Sequence, residues 1–65
     1  MTTMHYIVRD RIKHVKTING IVKVPVGEET VIYSHHEEDF VSEMLEHLRH
    51  DPNWIFTKMR VVLTD

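Results

Sequence analysis

Apolar and polar residues alternate one by one through much of this chain, and one stretch replaces the alternation with spacings of three and four. Period two is the signature of a strand with one buried face, and the longer period is that of an amphipathic helix. Asn19-Gly20 sits between Ile18 and Ile21. Both residues accept the positive φ that a two-residue type I′ turn demands, so a β-hairpin is predicted there. That turn pairs Thr17 with Val22, Val15 with Val24 and Lys13 with Val26, which collects Val15, Val22, Val24 and Val26 on one face as a core candidate. The other face carries Ile18 and Ile21 near the turn, Lys16 across from Lys23, and His14 across from Pro25. Upstream, Met4, Tyr6, Val8 and Ile12 continue the alternation, interrupted by Asp10. The change from even positions to Val15 implies an extra residue, and a β-bulge is expected between Asp10 and Lys13. Pro25 lacks a backbone donor and Gly27 permits a sharp bend, so the second strand lies at an edge or ends there. Thr30 to Tyr33 makes a short further strand or a bent continuation of the second.

Ser34-His35-His36-Glu37 matches a capping box, in which the serine hydroxyl accepts from the Glu37 amide and the glutamate reaches back, so a helix is predicted to begin there. Phe40, Val41, Met44, Leu45 and Leu48 recur at helical spacing as one apolar stripe, while Asp39, Glu43, Glu46 and His50 point away. Glu37, Glu38 and Asp39 in the first turn and His47, Arg49 and His50 in the last complement the helix dipole, and Asp51-Pro52-Asn53 ends the helix. Trp54 then opens a final strand with Ile55, Thr57, Met59, Val61 and Leu63 on one side and Phe56, Lys58, Arg60 and Val62 on the other. The expected fold is α+β, a small mostly antiparallel sheet of three or four strands with one amphipathic helix packed on one face, in the order β-β-(β)-α-β. If the strands flanking the helix are parallel neighbours, their crossover is right-handed.

The length of 65 residues permits one domain, 1–65, with a small core. The chain contains no cysteine, which excludes disulfides and thiolate zinc sites and fits a reducing cytoplasm, the expected location. No apolar run is long enough for a signal peptide or a membrane span, so no membrane association is expected. The formal net charge of -2 conceals an asymmetry: residues 1–26 sum to +4, residues 27–51 to -7, and the remainder to +1. Such a distribution reads either as ordinary solvated faces or as an electrostatic surface that steers a partner.

The six histidines include His35-His36 and the pair His47 and His50 on the last helical turn. These pairs lie about 18 Å apart along the helix, too far to share the three or four ligands of a metal site, so no metal is expected. Ser34 reads as a cap and Ser42 as an exposed helical position, with no base or oxyanion arrangement around either, and the helical carboxylates form an outward stripe. No catalytic residue, enzyme activity or cofactor is expected. Gly20 and Gly27 are the only glycines, which leaves no glycine-rich phosphate loop. Arg9, Arg11, Lys13, Lys16, Lys23, Lys58 and Arg60 all fall on predicted strands and together suit phosphates, whereas the net negative charge and the few aromatics speak against nucleic acid. Trp54 and Phe56 are either core or interface residues, and Phe56, Ile18 and Ile21 could share an uncovered sheet face with the bases.

A basic strand pair, an acidic helix from Ser34 to Asp51 and the strand Ile55-Phe56-Thr57-Lys58-Met59-Arg60-Val61 with alternating bases resemble, in element order, small phage-encoded inhibitor proteins. These are the short RNA polymerase inhibitor of T7-like phages and compact anti-CRISPR proteins with one helix on a sheet. The resemblance implies stoichiometric protein binding without cofactors, through charged surface strips, and transfers no family site to these positions. The expected function is therefore a non-enzymatic protein-binding module, an inhibitor or regulator of phage or mobile-element kind, acting on a larger protein partner. The candidate contact residues are Arg9, Arg11, Lys16, Lys23, Lys58 and Arg60 on the strands and Asp39, Glu43 and Glu46 on the helix. A nucleic-acid binder using the basic sheet face and a homodimeric structural protein are the alternatives.

Overall fold

The computed structural model describes residues 1–64. Strand β1 runs from Thr2 to Thr17 and β2 from Gly20 to His35; helix α1 follows over Glu38–Leu48, then a 3-10 turn over Trp54–Phe56, and β3 over Thr57–Thr64. The sheet order is β2-β1-β3, with β1 antiparallel to both neighbours. The α+β fold with one helix on a small antiparallel sheet is as expected from the alternation. Thr30 to Tyr33 continues β2 rather than forming a strand of its own. The strands flanking α1 run parallel to each other but are separated by β1, so they are not the neighbours a simple crossover would join.

The hairpin closes one residue earlier than the Asn-Gly motif predicts. Thr17 pairs with Gly20, Lys16 with Ile21, Val15 with Val22, His14 with Lys23, Lys13 with Val24 and Ile12 with Pro25. The expected pairings of Lys16 with Lys23 and of His14 with Pro25 do not form. A type I′ turn over Asn19-Gly20 needs positive φ at both residues, yet only Gly20 adopts it, at 120°. The Thr17 hydroxyl fixes the alternative: it accepts from the Asn19 amide at 3.2 Å and donates to the Gly20 carbonyl at 2.8 Å, a side-chain turn that places Ile18 and Asn19 at the tip. The expected bulge does lie between Asp10 and Ile12. Its extra residues belong to β2, however, where Val26, Gly27 and Glu28 face Arg11 alone, and Gly27 takes the positive φ of 83° that the distortion demands. A second shift between Ile7 and Val8 leaves Ile32 unpaired.

The helix covers the odd-numbered face of β1. Its apolar stripe buries Val41 completely against the sheet, with Met44, Leu45 and Leu48 half-buried and Phe40 exposed at the rim, where it packs on the His35 ring. Ile7, fully buried, is the sheet's main contribution to the core, and Val8 is buried on the opposite face. The alternation of Met4, Tyr6, Val8 and Ile12 therefore marks the face away from the helix. The valines expected to form the core, Val22, Val24 and Val26, are exposed. Ser34 does not cap the helix, because it pairs with Tyr6 inside the ladder. The helix begins instead at Glu38 after an extended Glu37, whose amide donates to His35 Nδ1 at 3.0 Å. Trp54 to Phe56 form a 3-10 turn, so the last strand starts at Thr57. Phe56 accordingly does not share a sheet face with Ile18 and Ile21.

These dimensions leave an arm. β1 and β2 are each 16 residues long, about 53 Å at the strand rise, but α1 has 11 residues and spans about 16 Å. β3 pairs only with Thr2 to Arg9. From Asp10 to Glu29 the hairpin continues as a two-stranded ribbon, and the molecule measures 51 × 24 × 11 Å. Among the described residues no helix is long and apolar enough to cross a membrane.

Stability should thus depend on the helix-covered end. Ile7→Ala is expected to lose about 2–5 kcal/mol in chemical denaturation, enough to unfold so small a domain, whereas Val24→Ala in the arm should change it by less than about 1 kcal/mol. His5 offers the opposite sign. It is buried with Nδ1 lacking any hydrogen-bond partner, so His5→Leu should raise the melting temperature by removing an unpaired polar atom whose burial costs about 1–3 kcal/mol.

Candidate interaction surface

The strand bases are largely occupied by carboxylates of the same chain. Arg60 on β3 reaches across β1 to Glu29 on β2 and grips it with two nitrogens: Nη2 donates to Oε1 at 2.6 Å and Nε to Oε2 at 2.9 Å. Lys58 approaches the same carboxylate at 3.4 Å and Asp10 at 3.7 Å. The ladder brings these groups together, since Asp10 pairs with Glu29 and Val8 with Lys58, all on the face away from the helix. Val8, directly across from Lys58 in the ladder, is buried on this face although no helix covers it. The hydrogen bonds from Arg60, with its positive charge and that of Lys58, hold the Glu29 carboxyl below its ordinary range against a smaller opposing effect of desolvation. The same contact raises the Arg60 guanidinium.

Arg9 and Lys23 act as fasteners. Arg9 donates from Nη2 to Asp51 at 3.2 Å and from Nε to the Thr57 hydroxyl at 3.3 Å, which ties β1 to the segment after the helix. Asp51 in turn accepts from the Asn53 amide at 2.7 Å, and Lys23 donates to the Asn53 side-chain oxygen at 2.8 Å, so the arm is anchored to that segment as well. Arg11 faces Glu28 across the bulge at 3.3 Å, and Glu46 faces Arg49 at 3.3 Å on the helix. Of the nine residues singled out from the sequence, Lys16, Lys23, Asp39 and Glu43 make no ion pair among the described residues, Lys23 bonding only to the neutral Asn53 side chain. Lys13, on the arm with Lys16, makes none either. The expected continuous basic sheet face is therefore divided: its β3 half is neutralised internally, and the unpaired lysines lie on the arm.

The histidines of the first pair stack on each other with ring centroids 4.6 Å apart, and no cluster of three or more metal-ligating side chains converges among the described residues. The described residues also enclose no pocket.

No protein-family model, curated protein or solved structure matches this chain.

The exposed apolar surface extends beyond the Ile18 and Ile21 that the sequence places on an uncovered face. Ile18, Ile21, Val22, Val24 and Val26 project from the arm, and Met59, Val61, Val62 and Leu63 from β3. The signal was available, because the predicted helix is too short to roof strands of this length. The register expected from Asn19-Gly20 collects the valines as a core face, but the core does not extend under the arm.

The Glu29 contact gives a pH test. A carboxyl held low in the folded state stabilises fully above its unfolded value, 4.5, and loses that contribution as pH falls through the folded value. Glu29→Gln should therefore destabilise the protein at neutral pH and flatten the decline in melting temperature below about pH 4.5 relative to the parent, measured by circular dichroism across pH 2.5–7.

Proposed function

We propose that the chain is a non-enzymatic protein-binding module of inhibitor or regulator type, which engages a larger partner stoichiometrically through the hairpin arm. The observation that carries this reading is the composition of the ribbon between Asp10 and Thr30: five exposed aliphatic residues stand beside Lys13 and Lys16, which pair with no carboxylate among the described residues. Exposed aliphatic surface next to unsatisfied cations matches a partner with an apolar groove and an acidic rim. Such a ribbon needs no cofactor. It contributes area through the aliphatic side chains and orientation through the lysines, whose effect falls on the rate of encounter more than on residence time. The helix supplies a second, acidic surface through its exposed Asp39 and Glu43.

Nucleic acid is the second reading, favoured by one feature: a two-stranded ribbon with an isoleucine fully exposed at its tip has the form of an element that enters a groove and wedges between bases. Charge supports it less. The net charge is -2, and Lys58 and Arg60 already hold carboxylates.

The expectation is that tagged protein retains a stoichiometric partner from its host, that Lys13→Glu/Lys16→Glu releases it without lowering the melting temperature, and that Glu29→Gln does not release it. Retention by the arm variant would exclude the arm as the contact. The nucleic-acid reading instead expects duplex binding in fluorescence anisotropy whose logarithm falls with log salt at a slope near -2 to -3, as about three phosphate contacts require, and whose loss accompanies the same variant.

A further inference from the structure

The two free edges of the sheet are treated differently. The outer edge of β2 carries Pro25, two register shifts and Glu28 and Glu29, the devices by which natural sheets prevent another strand from pairing. The outer edge of β3 has no proline and no register shift, and its two charges, Lys58 and Arg60, are drawn onto Glu29 and Asp10. Its register with β1 is regular from Thr57 to Thr64, it has no proline or glycine, and its second half is Val61-Val62-Leu63. Met59, Val61 and Leu63, on the helix side, are 37%, 54% and 65% exposed.

The surface of the chain also exceeds that of a compact monomer. It amounts to 5101 Å² for 7.8 kDa, whereas a folded monomer of that mass exposes about 4,400 Å². The surplus of about 700 Å² is close to the roughly 800 Å² that each partner contributes to an interface of standard size. Among the described residues three apolar side chains are buried, Ile7, Val8 and Val41, a core too thin for the length of sheet it supports.

We propose that β3 pairs antiparallel with β3 of a second copy of the chain, about a two-fold axis through Val61, to form a continuous six-stranded sheet. An antiparallel pair related by a two-fold axis keeps each residue on its own face, so the helices of both copies lie on the same side. Two registers then centre the strand. An axis through Arg60 sets that arginine directly against its own copy, like charge against like charge, which is unfavourable. An axis through Val61 sets Arg60 against Val62, Lys58 against Thr64 and Met59 against Leu63, and Val61 against itself. This register joins the apolar residues of the helix side into one strip across the dyad and leaves the contacts of Arg60 with Glu29 undisturbed. The pairing is independent of the arm, and Lys13→Glu/Lys16→Glu leaves it intact.

The absence of cysteine makes the register directly testable. On the dyad, Val61→Cys faces its own copy with Cα atoms about 4.5–5.5 Å apart, within disulfide range. Met59→Cys lies four residues, about 13 Å, from its copy and opposite Leu63→Cys instead. Mild oxidation should therefore cross-link Val61→Cys alone, and Met59→Cys only when mixed with Leu63→Cys. Sedimentation equilibrium of the unmodified chain should give twice 7.8 kDa, returning to 7.8 kDa in Val61→Lys with its circular dichroism spectrum retained. A unmodified chain of 7.8 kDa at all concentrations up to millimolar overturns the proposal, as does equal cross-linking of the Val61→Cys and Met59→Cys variants.

Discussion

Coverage is the constraint on which this fold depends. A helix of 11 residues sits on a sheet whose two longest strands have 16 each, and only the overlap of the two can exclude water. Ile7 and Val41 meet where the overlap is greatest, and both are fully buried. Beyond it the hairpin continues on backbone hydrogen bonds and the fasteners at Lys23 and Arg9, with its valines in water. The elongated shape, the thin core and the exposed apolar edge all follow from this mismatch of lengths.

Electrostatics takes over where the helix does not reach. On the uncovered face, where Val8 is also buried, Arg60 and Lys58 converge on Glu29 beside Asp10. A charge gripped in this way is part of the scaffold. It is less available to an external partner, because a new contact must first displace an existing one. Among the described residues, the positive charge without an ion pair thereby lies on the arm, at Lys13, Lys16 and Lys23, and the negative charge on the helix, at Glu38, Asp39 and Glu43. What the composition suggests is a basic strand surface becomes a neutral floor with a charged extension.

The two apolar exposures differ in chemistry, which assigns them to different occupants. The arm mixes aliphatic residues with unpaired cations and ends in a narrow tip, a shape suited to entering a dissimilar partner. The edge of β3 is regular and, about Val61, self-complementary, a shape suited to its own copy. Natural sheets disrupt edges that must stay single, and in this chain the proline and the register shifts fall on the edge of β2.

Local periodicity determined the kinds of element and their order. Alternation marked the strands, the stripe from Phe40 to Leu48 marked the helix, and the break near Asp10 marked a bulge. Each of these depends on residues near one another in sequence, which is why it could be read there. Tertiary structure alone decided the register and the covered face. The Thr17 hydroxyl moved the turn by one residue, and pairing with Tyr6 withdrew Ser34 from capping the helix. Docking of the helix selected Ile7 over Val24 as core, and Glu29 captured Arg60 from a strand on the far side of β1. Those outcomes rest on contacts between residues distant in the chain, and alternation alone leaves both faces of a strand, and every shift of its register by two, equally consistent with the pattern.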